Sequence, residues 1–232
     1  MNIAIFAPYA TVNSSFGTDL ELAQEHLNAG DDVTFITCGS ELRICDRNPY
    51  GSRLKCIECV QMKRKGVAAL KNTQKLTILN LKEIPKKGDS SNLDGNTPMF
   101  GSIQELKAFN IDSFDIGYAV AASIITHTGD SHPNLKQFQT LIDGLLCASV
   151  YAFAQLDSLF SKADYEKVYV FNGRYSVTAS CIAAAIKHSI AYATHDRGRT
   201  HEFYEVFDNA NAADMKWFQA AINIRWLNSG EA

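Results

Sequence analysis

Residues 1–37 read MNIAIFAPYATVNSSFGTDLELAQEHLNAGDDVTFIT. Ile3–Phe6 is a short apolar run of strand-forming residues, and Val33–Thr37 is a second one. Between them, apolar residues recur at helical spacing over Leu20–Leu27, and Gly30 supplies a C-terminal cap. Strand, helix and strand in this order predict a βαβ unit, whose crossover is right-handed in nearly all proteins.

A second unit of the same kind lies near the other end of the chain. Val168–Phe171 is a strand-like run, Ser176–His188 is a helical stretch of small residues, and Ile190–Thr194 is another strand-like run. Strands that alternate with helices indicate an α/β fold with parallel strands covered on both faces. The sequence therefore predicts a Rossmann-like, doubly wound, mostly parallel sheet, and we expect residues 1–232 to form one domain.

Composition excludes several classes of protein. The 232 residues carry a net charge of −3, which does not suit a broad nucleic-acid footprint, so no nucleic-acid partner is expected. The longest mostly apolar run, Leu145–Ala154, is far shorter than the roughly 20 residues of a membrane-spanning helix. The first residues also lack the basic start of a secretory signal. We expect a cytoplasmic protein, for which peripheral membrane contact stays open.

Four cysteines fall within a polar segment that interrupts the strand and helix pattern over residues 38–60. Their spacing is C-x6-C-x10-C-x2-C, from Cys38 through Cys45 and Cys56 to Cys59. Four thiolates suit a closed, tetrahedral Zn²⁺ site, which would stabilise an insertion with little core of its own. The sequence thus predicts a cysteine-rich, metal-binding insertion with structural zinc. An iron–sulfur cluster, a Cys56–Cys59 redox pair and ordinary buried thiols are the alternatives.

Polar segments follow three of the predicted strands, where open parallel sheets bind their ligands. Each could also be a simple turn or cap. The first segment offers hydroxyls before a helix, the second an arginine suited to phosphate or carboxylate, and the third a base beside a cation. The predicted substrate-binding residues are Ser14, Ser15, Gly17, Asn172, Gly173, Arg174 and Arg197, and the predicted catalytic residues are Asp196 and His195.

Two further features bear on the site. His127, Asp130 and His132 follow a predicted helix and face either the same crevice or solvent. No G-x-G-x-x-G sequence follows the first strand, so a dinucleotide-dependent oxidoreductase is poorly supported.

The motifs together resemble a known family. Phe171-Asn172-Gly173-Arg174, the small-residue helix and then His195-Asp196-Arg197-Gly198 are similar to a pattern in bacterial surface-polysaccharide and capsule-biosynthesis glycosyltransferases. The cysteine segment with its following basic residues, and Asp115-Ile116-Gly117, resemble other parts of those proteins. The resemblance covers residues 1–198. The family has Glu where this chain has Asp196.

The resemblance implies a GT-B-like architecture of two Rossmann-like domains, of which this chain matches the N-terminal, acceptor-side one and lacks the C-terminal donor domain. It also implies transfer of a sugar from a nucleotide-sugar to a surface glycan or lipid-linked acceptor. Asp196 or His195 would then be the general base, and a separate donor domain or chain would be a partner. A non-catalytic, metal-stabilised binding or scaffold module is the alternative function.

Overall fold

A computed structural model of the chain describes residues 1–85, 97–111, 114–198, 200, 203–211 and 213–228. The strands are β1 (Asn2–Ala7), β2 (Asp32–Thr37), β3 (Leu76–Asn80), β4 (Lys167–Phe171), β5 (Ala191–Arg197) and β6 (Tyr204–Asp208). The helices are α1 (Asn13–Ala29), α2 (Arg53–Ala68), α3 (Ile103–Lys107), α4 (Ile116–Thr128), α5 (Gln139–Phe160), α6 (Ser176–Lys187) and α7 (Met215–Asn228). Short 3₁₀ turns span Thr73–Lys75, Leu81–Glu83 and Leu135–Phe138.

The strands form one sheet in the order β3-β2-β1-β4-β5-β6. Pairing is parallel from β3 to β5, with Ile3 opposite Val33 and Phe171 opposite His195, and antiparallel between β5 and β6. The predicted α/β, Rossmann-like, mostly parallel sheet is confirmed. The strand order reverses between β1 and β4, and this is the switch point at which open α/β sheets hold their ligands.

Two apolar layers cover the sheet, because successive side chains of a strand point to opposite faces. Phe6 and Val170 lie in the layer built with α4, α5 and α6. Ile5 and Tyr169, their neighbours in sequence, lie in the layer built with α1 and α2. No helix among the described residues is long and apolar enough to cross a membrane.

Helix α1 begins earlier than the sequence pattern suggests. The polar segment before Leu20 was expected to be a loop, but α1 starts at Asn13, so Ser14, Ser15 and Gly17 lie in its first turns. The reason is tertiary: Phe16 is buried against Phe35 of β2, with ring centroids 6.3 Å apart.

The cysteine-rich insertion also contains more regular structure than expected. Helix α2 starts at Arg53, so Cys56 and Cys59 lie on its first turns. Ser52 caps this helix, since its hydroxyl accepts a hydrogen bond from the backbone N–H of Lys55.

Strand β5 is likewise longer than predicted. It runs to Arg197, so His195 and Asp196 belong to the strand and do not follow it. Its extension pairs with β6, where Asp196 lies opposite Glu205.

Gly117 and Gly17 offer a matched test of helix packing. A Cβ at Gly117 would lie 2.7 Å from the carbonyl oxygen of Phe109 and still nearer that of Leu106, whereas a Cβ at Gly17 would meet nothing within 4 Å. We predict that Gly117→Ala lowers the free energy of unfolding by about 2 kcal/mol or more. Gly17→Ala should raise it by about 0.5–1 kcal/mol. Urea unfolding of both variants checks this, and equal effects would contradict the close approach at Gly117.

Candidate functional site

The loop between β4 and α6 adopts a conformation that only certain residues allow. Asn172 and Gly173 both have positive φ, of 58° and 77°. A Cβ at Gly173 would lie 2.8 Å from Thr194 Cγ2 and closer still to Ile182. Residue 173 must therefore be glycine, both because its φ is positive and because a Cβ would clash. At position 172, asparagine tolerates the left-handed conformation.

Asp46 of the cysteine-rich insertion joins the two sides of the switch point. Its Oδ2 accepts hydrogen bonds from Tyr9 Oη at 2.5 Å and from Ser176 Oγ at 2.9 Å. Its Oδ1 accepts one from Ser123 Oγ, and that hydroxyl accepts one from the backbone N–H of Ser176 at 2.9 Å. Tyr9 follows β1, Ser123 lies in α4, and Ser176 begins α6. One carboxylate thus fixes the insertion to three separate elements.

The Tyr9 hydroxyl keeps its proton and so remains a hydrogen-bond donor to Asp46. It is buried, and burial together with the adjacent Asp46 carboxylate raises the pKa of Tyr9 well above its ordinary value. The phenol therefore stays protonated and keeps donating to Asp46.

A cleft of about 260 Å³ opens beside this cluster, between the insertion and the helices α4, α5 and α6. Most of its polar groups come from the insertion and α4. The cleft is lined by Cys45, Asp46, Arg47, Pro49, Ser123, Thr126, His127, Leu141, Leu145 and Tyr175. Its apolar residues and few polar groups are typical of small-ligand sites, although its volume lies slightly below their usual range of about 300–1,000 Å³.

Arg47 supplies a positive charge to the cleft. Its guanidinium carbon lies 5.9 Å from the centre of the Phe171 ring, at the end of β4. Its Nε is buried and has no hydrogen-bond partner among the described residues. A buried donor without a partner is costly, so this group is suited to receive a ligand oxygen.

Two more side chains flank the cleft. Arg174 is exposed, and its Nη2 donates a hydrogen bond to Tyr175 Oη at 2.8 Å, which keeps its charge at the rim. His127 lines the cleft and touches the Tyr50 ring edge-on at 5.8 Å. Asp130 and His132 do not line it: both are exposed, and Asp130 accepts a hydrogen bond from the backbone N–H of His132.

His195 lies beneath the edge of the sheet. Its side chain is 1% exposed, and its Nε2 lies 2.7 Å from Oδ1 of Asp19 in α1. Burial raises the pKa of Asp19, while the neighbouring His195 acts in the opposite direction. His195 therefore links β5 to α1 and does not line the cleft.

Asp196 lies at the carboxyl edge of the sheet and is half-buried. Its Oδ2 accepts a hydrogen bond from Asn172 Nδ2 at 2.5 Å, and its Oδ1 accepts one from the backbone N–H of Arg197 at 2.7 Å. The structure thus brings together the segments after β4 and at the end of β5. The Arg197 side chain is exposed beside them.

The predicted residues of α1 form a separate group. Ser14 and Gly17 are exposed, and Ser15 is buried with its hydroxyl donating to the carbonyl of Val12 at 3.1 Å. None of the three lines the cleft.

The four clustered cysteines line one small cavity of about 30 Å³ beside the cleft. Burial raises the pKa of Cys45 to about 12 and also raises the pKa of Cys38. Across the described ranges, no three His, Cys, Asp or Glu side chains are arranged to hold one metal ion. The remaining two cysteines lie elsewhere, Cys147 exposed and Cys181 buried.

Sequence reasoning missed the centre of the site. Asp46, Arg47, Ser123 and Tyr175 were not among the predicted residues. Asp46-Arg47 directly follows Cys45, and a charged pair inside a cysteine-rich segment was the available signal.

The similarity of this chain to known proteins is low. No protein-family model and no curated protein matches the chain. Among solved structures, the chain is similar to a tyrosyl-tRNA synthetase of Leishmania major in complex with tyrosinol. The identity is 11% and the TM-score 0.40, and the match covers 83% of this chain but 31% of the synthetase chain. No function is carried over at this level.

The role of Asp46 predicts a stability effect. Asp46→Ala leaves three hydroxyls without their shared acceptor, so we expect the free energy of unfolding to fall by about 2–3 kcal/mol. Glu58→Ala, on the exposed side of α2, is the control and should change it by less than about 0.5 kcal/mol. Chemical denaturation measures both, and equal stabilities would show that the insertion is held by other contacts.

Proposed function

We propose that this chain is the acceptor-binding half of a glycosyltransferase that extends a bacterial surface glycan or a lipid-linked acceptor. The proposal is supported by the resemblance of its strand-end motifs to such enzymes and by the cleft at the switch point. The observation that carries it is the Arg47 Nε beside the Asp46 cluster, which has no hydrogen-bond partner among the described residues.

The charges around the cleft favour an anionic acceptor. Arg47 lines the cleft and its Nε has no hydrogen-bond partner among the described residues, and the exposed Arg174 lies over the ring of Tyr175, which also lines the cleft. Asp46, the carboxylate that lines the cleft, is engaged by three hydroxyls on its inner side. A phosphate or a sugar carboxylate of the acceptor would pair with Arg47, since guanidinium groups bind such anions bidentately.

The transfer itself makes one bond and breaks one. The acceptor hydroxyl oxygen bonds to the anomeric carbon of the donor sugar, and the bond from that carbon to the diphosphate oxygen breaks. The nucleoside diphosphate leaves with the electron pair. The hydroxyl proton passes to a base, for which Asp196 is better placed than the buried His195. Arg174 and Arg197 would stabilise the negative charge that develops on the leaving group.

The donor nucleotide-sugar would come from a second Rossmann-like domain or a separate chain, in the cytoplasm. Asp46 is a positioning residue in this scheme, because it holds Arg47 at the switch point through its three hydroxyl donors. The chain by itself should bind acceptor and transfer little or no sugar.

Binding of a phosphorylated oligosaccharide tests the acceptor site. We expect the whole chain to bind it in isothermal titration calorimetry, and Arg47→Met to weaken that binding about tenfold or more, as loss of a charge-assisted hydrogen bond does. Arg225→Met, an exposed arginine of α7, should leave the affinity unchanged.

Two results would overturn the proposal. One is binding that Arg47→Met and Arg225→Met affect equally. The other is rapid sugar transfer by the 232-residue chain when it is mixed with nucleotide-sugars and acceptor, because the half-enzyme would then be complete.

A non-catalytic binding module is the second candidate. It is favoured because both predicted bases already have partners within the chain: His195 is buried against Asp19, and Asp196 accepts a hydrogen bond from Asn172. Asp196→Asn discriminates the two functions. An enzyme assembled with its donor domain should lose transfer while keeping acceptor affinity, whereas a scaffold should keep partner binding and have no transfer to lose.

A further inference from the structure

The four clustered cysteines come from three parts of the chain and meet at one cavity. Cys38 directly follows β2, Cys45 lies in the irregular segment between β2 and α2, and Cys56 and Cys59 lie three residues apart on α2. Residues three apart on a helix share a face, so the last two thiols point the same way. The cavity measures about 30 Å³, which is room for a single ion between the four thiols.

N–H donors surround the sulfur atoms. The backbone N–H of Ser40 lies 3.4 Å from Cys38 Sγ, and that of Ala10 lies 3.3 Å from Cys59 Sγ. Cys56 Sγ accepts from Asn48 Nδ2 at 3.2 Å. A neutral thiol is a weak acceptor, whereas a thiolate is stabilised by such donors.

The charge of the cavity wall also suits anionic sulfur. Arg47, Lys55 and Lys63 line it, and no carboxylate does among the described lining residues. Lys63 is 5% exposed, and its Nζ donates to the carbonyl oxygens of Pro8, at 3.2 Å, and of Cys38. Four thiolates around a divalent cation carry a net charge of about −2, which these three cations would offset.

We propose that Cys38, Cys45, Cys56 and Cys59 bind one Zn²⁺ as a closed, structural tetrathiolate site. As described, three or more of these sulfurs do not converge on one point, so binding requires the thiols to lose their protons and rotate into the cavity. The proposal does not depend on the chemistry at the cleft. It explains how an irregular segment can hold Asp46 and Arg47, which directly follow one ligand.

Metal analysis of the purified whole chain tests the site. We expect about one zinc and no iron per chain in the parent, as a closed four-thiolate site binds. Cys56→Ser and Cys59→Ser should lose it. Cys147→Ser, which removes an exposed thiol outside the cluster, is the matched control and should retain full zinc.

A labelling measurement keeps the test decisive if the cluster variants do not fold. In the parent, iodoacetamide should modify Cys147 and spare the four clustered cysteines until a chelator removes the zinc. Mass spectrometry of the peptides reads this out for each thiol.

Three outcomes would overturn the proposal. The first is a parent with neither zinc nor iron and with six free thiols. The second is stoichiometric iron with acid-labile sulfide, which identifies an iron–sulfur cluster. The third is a disulfide between Cys56 and Cys59, which identifies a redox pair.

Discussion

The Asp46 carboxylate is the interaction on which the site depends. A partly buried carboxylate is stabilised where its oxygens are paired, and here three hydroxyls pair them. Tyr9 belongs to the first βαβ unit, whereas Ser176 begins the crossover helix of the second. The position of the insertion therefore depends on contacts with both units. The cleft exists as a consequence of the completed sheet and not of the insertion alone.

One short backbone segment of the insertion borders both the cysteine cavity and the cleft. Cys45 and Arg47 line both the cysteine cavity and the cleft, and Asp46 lies between them in sequence. A change at the cysteines would displace the guanidinium that lines the cleft. Gly144 of α5 provides the counter-surface, because a Cβ there would lie 2.7 Å from Ile44 Cγ2. The insertion is thus held against the helices by close packing as well as by hydrogen bonds.

Local periodicity was enough to predict the strands β1, β2 and β4 and the Rossmann-like class, since each depends on a short apolar run between turns. What it missed depends on contacts distant in sequence. The first turn of α1 forms because Phe16 packs on Phe35, and β6 exists because β5 offers an edge. The pairing of His195 with Asp19 spans 176 residues. The local signal for Asp46 is weak, a charged pair with Arg47 beside Cys45, because its three partners come from separate elements.

The strand geometry of β5 also decides between the two predicted bases. Neighbouring side chains of a strand point to opposite faces, so His195 and Asp196 cannot both face one ligand. His195 takes the face covered by α1, where Asp19 and the Phe171 ring surround it. Asp196 takes the other direction and meets Asn172 at the edge of the switch point. If residues 195–196 formed a loop, both side chains could face a ligand. Because they lie in β5, the His195 side chain is buried in the interior. Any chemistry at this motif therefore falls to the carboxylate.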